Sequence, residues 1–168
     1  AFPLEDARRA LACVSLEGKD HWVILEPHRT TPQVVTREGM ADVWAGLVPL
    51  SPEGTRLLVS EGGRAWYVQP LPSGPPRPIP GVQPQERLVG WSADGKAVFA
   101  RPELSVLPVT LTRIDLATGA RRPVLAFAPP DAAGHVQTRG VFVSPEAKVF
   151  AFTYEKKLSD LYLVEGLR

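Results

Sequence analysis

The residues of this chain with the chemistry for catalysis are a serine next to a glycine turn, three histidines, one cysteine and a few neighbouring carboxylates. A nucleophilic serine of the Gly-x-Ser-x-Gly type sits on a sharp strand-to-helix turn. Here Gly90-Trp91-Ser92-Ala93-Asp94 lacks the second glycine, and Ser92 falls in what reads as a hairpin. His21, His28 and His135 stand beside turns without a partner at metal-ligand spacing, so they read as exposed structural histidines. Glu61-Gly62-Gly63-Arg64 has glycines suited to a phosphate loop but no following helix whose N–H groups would hold the anion. Glu5 with Asp6, and Asp94 with Glu86, have the types for acid-base work, but solvated turns account for them. Cys13, within Ala10-Leu11-Ala12-Cys13-Val14, reads as a small buried hydrophobe, and a lone cysteine makes no internal disulfide. The residue types therefore point to no catalytic constellation, no metal and no cofactor.

The elements that would position such residues are short. The chain has 168 residues, 44% hydrophobic and 22% charged, an ordinary balance with enough apolar mass for one core. Its 18 Pro and 14 Gly are spread along the sequence, which suits many short strands joined by turns and argues against long helices. With 19 basic and 18 acidic residues the net charge is +1, so the basic footprint of a nucleic-acid binder is missing. No apolar run approaches the roughly 20 residues that span a bilayer as a helix. The chain starts at Ala1 without Met and is expected to be an excised segment.

One phrase recurs. Gly90-Trp91-Ser92-Ala93-Asp94-Gly95-Lys96-Ala97-Val98-Phe99-Ala100 is an apolar run, a turn on Asp-Gly and a second apolar run. It predicts a tight hairpin in which Asp94 and Gly95 both take positive φ. Ser51-Pro52-Glu53-Gly54 lies 41 residues before it and Ser144-Pro145-Glu146-Ala147 lies 52 after it. These periods match the roughly 40–50 residues of a four-stranded propeller blade. Such sheets bury their faces only by stacking on one another. Trp22 and Trp66 fall at matching third-strand positions and Trp91 ends a first strand, so these tryptophans are expected between blades. The predicted fold is all-β: an open arc of about four antiparallel β-propeller blades, near 1–38, 39–81, 82–129 and 135–168. The expected strand counts are three, four, four and three.

The same residues resemble a known family. Trp91-Ser92-Ala93-Asp94-Gly95-Lys96, with Ser51-Pro52-Glu53-Gly54 and Ser144-Pro145-Glu146 as variants, looks like the Trp-Ser-Pro-Asp-Gly-Lys repeat of TolB-like and related WD-type β-propellers. Asp115-Leu116-Ala117-Thr118-Gly119 is similar to the turn between the last two strands of such blades. Ala93 replaces the Pro of the repeat, Ala147 its Gly, and the first unit keeps only Leu4-Glu5-Asp6-Ala7-Arg8 in that place. The closing Ser159-Asp160-Leu161-Tyr162-Leu163-Val164 is similar to the end of propellers that follow a kinase domain in some bacterial serine/threonine kinases. That resemblance implies a part lying behind a kinase and a membrane segment, on the extracytoplasmic side.

Three functions from different classes fit this pattern. The first is a non-catalytic module for ligand sensing or protein binding within a larger protein. The second is the substrate-gating propeller of a prolyl-oligopeptidase-like serine peptidase, and the third a self-assembling structural protein. For the first, a protein, peptide or small ligand is expected at one loop rim, on Glu61, Arg64, Glu103, Tyr154 and Lys156 of the connections 61–64, 102–108 and 154–159. The open ends of the arc are expected to take further blades of a parent ring or a second copy. Neither nucleic acid nor a membrane is an expected partner of this segment.

Overall fold

A computed structural model describes residues 1–4, 8–40, 47–103 and 107–159. Every regular element among them is a β-strand, and the strands form four antiparallel sheets. The first sheet has β1 (Phe2–Pro3), β2 (Ala10–Leu16), β3 (Lys19–Leu25) and β4 (Gln33–Val34) in that order. The second has β5 (Arg56–Glu61), β6 (Ala65–Pro70) and β7 (Arg77–Pro78), with Leu50 bridging to Leu57 ahead of it. The third runs β8 (Glu86–Trp91), β9 (Ala97–Pro102), β10 (Val109–Asp115) and β11 (Arg121–Phe127), and the fourth pairs β12 (His135–Val143) with β13 (Phe150–Lys156).

Two expected counts change. The first sheet has four strands where three were expected, because Phe2 and Pro3 pair with Leu11 and Ala10. A two-residue strand carries no alternation, so its sequence gives no sign of pairing. The second sheet has three strands and the Leu50 bridge, its expected opening residues 43–46 lying outside the described ones. The third strand expected near 161–164 in the last unit, and Trp44, also lie outside them.

Side chains alternate across each strand, so every inner sheet serves two cores. Leu57 and Val59 face Leu11, Trp22 and Ile24 of the first sheet. Leu58 and Trp66 face Leu88, Trp91, Val98 and Ile114 of the third. Val89, Phe99 and Leu111 face Val141, with Phe152 packed against them from the fourth. At about 25 cal/mol per Å2 of apolar area, each large side chain withdrawn from water contributes about 1.5–3 kcal/mol. Trp22, Trp66 and Trp91 are all buried in these cores, as their repeat positions implied.

Polar latches fix the stacking. The Trp66 ring N–H donates to Glu86 O at 3.3 Å, and that of Trp91 to Pro49 O at 2.9 Å. Successive hairpin turns are also joined. Arg56 Nη2 donates to Gly95 O at 2.8 Å, and Ala93 N to Pro145 O at 3.0 Å.

The turns themselves correct the sequence expectation. Gly95 takes φ +63°, but Asp94 is not in the left-handed region. Asp94 acts as a side-chain acceptor instead: its Oδ1 takes the Ser92 hydroxyl at 2.6 Å and Lys96 N at 3.0 Å. A carboxylate that caps its own turn removes the need for a two-residue turn with positive φ throughout. Ser92 N donates to Ala97 O and Gly95 N to Ser92 O, a longer loop than the one expected. In the last sheet the glycine position is Ala147, which takes φ +56°.

Candidate functional site

The five rim residues expected from the sequence fall into two groups. Glu61 ends β5 and Arg64 N donates to Glu61 O, closing a turn whose Gly63 carbonyl accepts from Arg87 Nη1 at 3.2 Å. Gly63 takes φ +67°, which L side chains rarely adopt, and a Cβ there would also have to displace the Arg87 guanidinium. Arg87 Nε also donates to Glu103 at 3.1 Å, so Arg87, which the sequence did not single out, ties Glu103 to the turn between Glu61 and Arg64. Tyr154 and Lys156 form the second group. They were expected in a connection but lie within β13, because β12 continues its pairing as far as His135 opposite Lys156. Lys156 Nζ is 2.7 Å from Asp131 and 6.0 Å from the Tyr154 ring centre.

Arginines of β8, β9 and β12 follow one another from the first group toward the second. Arg87 and Arg101 are directly paired across β8 and β9, and Arg101 Nη2 donates to Arg139 O at 2.8 Å. Burial, then repulsion from Arg87, pulls the Arg101 guanidinium below the usual arginine range. Arg139 in turn holds Glu155 at 3.0 Å. The signal for Arg87 and Arg139 was present in the repeat, since each stands five residues before its turn serine.

Three clefts lie at the opposite end of the β8–β9 hairpin, around Asp94 and Arg113. One, of about 290 Å3, is lined by Ser92, Arg113, Arg122 and Ala147. A second, of about 420 Å3, is formed by Arg113, Arg121, Arg122 and Thr118. A third, of about 660 Å3, runs between β7 and the turns at 94–96 and 115–117. None of the five rim residues lines these three.

The hydroxyls and carboxylates here are committed to the turns. The Ser92 hydroxyl bonds Asp94 and accepts from Ala97 N at 3.0 Å. The Ser92 hydroxyl and Lys96 N–H hold the Asp94 carboxyl below its usual range, with Arg113 adding to them. Asp115 is held down in the same way by the Thr118 hydroxyl and by the amides of Thr118 and Ala117. Carboxylates stabilised as anions are poor proton acceptors at neutral pH. Among the described residues no group of three His, Cys, Asp or Glu side chains is placed to hold a metal. Cys13 has its thiol pushed up, by burial first and then by Asp20. What this end of the molecule offers a ligand is cations and apolar surface.

No family model matches the chain, and no curated protein matches it. Its fold is similar to solved structures. TolB from Acinetobacter baumannii superposes with a TM-score of 0.59 at 16% identity, over 92% of this chain and 37% of that one. A protein assigned as TolB in Agrobacterium tumefaciens gives 0.57 at 16%, over 90% of this chain and 52% of that one. An oligogalacturonate lyase in complex with manganese gives 0.57 at 14%, over 90% and 50% respectively. The chain thus spans about half or less of the length of these proteins. At such identities the likeness establishes the fold alone, an all-β segment of β-propeller type.

Proposed function

We propose that this chain is a non-catalytic propeller module for protein or ligand binding, working as part of a larger protein. The observation that carries this reading is the apolar surface of the fourth sheet. Val136, Phe142 and Val149 are each about half exposed or more, on β12 or the turn to β13, and Phe142 stands opposite Ala151, on the other face from the Val141–Phe152 pair that enters the core. Apolar surface gathered on one element marks an interaction site, whereas single exposed hydrophobes are commonplace. In a stacked-sheet fold the natural cover for such a sheet is further blade surface, from a parent propeller or a second copy. The similarity of the closing residues to kinase-linked propellers supports placing the module behind a bacterial serine/threonine kinase domain.

Light scattering over a concentration series, with circular dichroism on the same samples, tests this. The chain is expected to self-associate as concentration rises, and a Phe142→Ser/Val149→Ser variant to keep its fold and stay monomeric. A wild-type chain that is monomeric at every concentration would overturn the reading.

A further inference from the structure

We infer that the 660 Å3 groove between β7 and the turns at 94–96 and 115–117 binds a small organic anion with an apolar body. This rests on the binding-module reading and gives it a ligand class. The volume falls within the roughly 300–1,000 Å3 of small-molecule sites, and the groove lies between the second and third sheets.

Its floor is preformed. Val68, Ile79 and Leu116 line the groove and also belong to, or pack against, the core shared by the second and third sheets. They are held by packing that exists without a ligand, so little ordering cost attends occupation.

The walls call for an anion. Arg77 on β7 and Lys96 on the facing turn are exposed, and neither makes an ion pair among the described residues. Asp94 and Asp115 also line the groove as anions, but Asp94 is offset by Arg113 at 3.5 Å, which leaves Asp115, among the described residues, as the one carboxylate without an ion pair facing these two cations. Asp94 bonds Ser92, Lys96 N and Arg113, and Asp115 bonds the Thr118 hydroxyl at 2.8 Å and the amides of its own turn. Arg56, the third cation of the lining, is held by Glu53 and Gly95 O. With Arg56, Arg77 and Lys96 against Asp94 and Asp115, the lining keeps an excess of positive charge over an apolar floor, which complements a ligand with one negative end.

The strand at the groove's edge speaks against an added peptide strand. Pro76, Pro78 and Pro80 leave no N–H at alternate positions, and Ile79 N is already spent on Trp66 O at 2.9 Å. Strand addition needs a row of free backbone donors and acceptors, which prolines remove. The ligand is therefore recognised by its charge and its body.

The test uses 1-naphthoate and its uncharged counterpart 1-naphthalenemethanol, titrated into the whole chain by calorimetry. The acid is expected to bind at least tenfold tighter than the alcohol. An Arg77→Ala/Lys96→Ala variant should lose about tenfold in affinity for the acid while keeping its affinity for the alcohol. Leu116→Asp should weaken both, with an unchanged melting profile of the charge variant serving as the fold check. Equal binding of acid and alcohol, failure of both to bind, or full acid affinity in the charge variant would each overturn the inference. Because the exposed apolar surface of the fourth sheet lies elsewhere, such a failure leaves the self-association result untouched and the two readings separable.

Discussion

The same turn position is Gly95 in the third sheet, at φ +63°, and Ala147 in the fourth, at φ +56°. An L-residue held in the left-handed region costs roughly 1–2 kcal/mol, while glycine costs about 0.4–1 kcal/mol in the greater freedom of its unfolded chain. Ala147→Gly should therefore stabilise the protein by about 0.5–1 kcal/mol. Gly95→Ala reverses that balance and adds a second loss. Its new Cβ would lie 2.7 Å from Arg56 Nη2 and 2.9 Å from Glu53 Oε2, so Arg56 must withdraw from Gly95 O. A hydrogen bond from a charged donor contributes about 1.5–3 kcal/mol, here nearer 1–2 because the Arg56 side chain is 33% exposed. Gly95→Ala should cost about 1.5–3 kcal/mol in all. At about 2–4 °C per kcal/mol for a chain of this size, that is a fall of about 3–12 °C. Urea unfolding followed by tryptophan fluorescence measures both variants. In an Arg56→Ala background, Gly95→Ala should cost only the backbone share. If the loss at Gly95 equals the gain at Ala147, or if it persists undiminished without Arg56, the turn-to-turn latch is refuted.

Two further outcomes follow from the same contacts. Trp91→Phe removes the ring N–H bond to Pro49 O, at 2.9 Å, and weakens the stacking of Arg56, 4.7 Å from the ring centre; a loss of about 1–2 kcal/mol in urea unfolding is expected. Asp94, Asp115, Asp131 and Glu155 are all held below their usual range, chiefly by side-chain hydrogen bonds. A carboxyl depressed in the folded state gives stability that is complete above the ordinary carboxylate range and is lost as pH falls through its folded value. Urea midpoints should therefore fall on acidification below that range, with a shallower decline in Asp94→Asn; parallel declines would show that Asp94 contributes nothing there.

A fold of stacked sheets explains why the polar residues of the repeat are spent on structure. Ser51 Oγ accepts from Arg56 N at 3.0 Å, Ser92 Oγ from Ala97 N at 3.0 Å, and Ser144 Oγ from Val149 N at 3.2 Å. The recurring serine thus closes the hairpin in three sheets, and its recurrence reflects that task. Lys96 at the end of the repeat and Arg77 outside it, neither in an ion pair among the described residues, are left available to a ligand.

The repeat carried the hairpins, the all-β class, the stacking of sheets and the burial of Trp22, Trp66 and Trp91, because alternation and turn chemistry are local and a 41-residue spacing is read directly. It also carried the equivalence of Arg87 and Arg139, five residues before their serines. Local pattern did not reach the pairing of Phe2 and Pro3 with β2, which depends on where the chain returns. Nor did it place Tyr154 and Lys156 in a strand, since the length of β13 is set by its partner β12. Arg77 and Lys96 stand 19 positions apart on different sheets, and their meeting across one groove was decided by how those sheets stack. Which charges are left unpaired is likewise a tertiary matter, because an ion pair is a distance in space that sequence spacing fixes only within a single turn or hairpin.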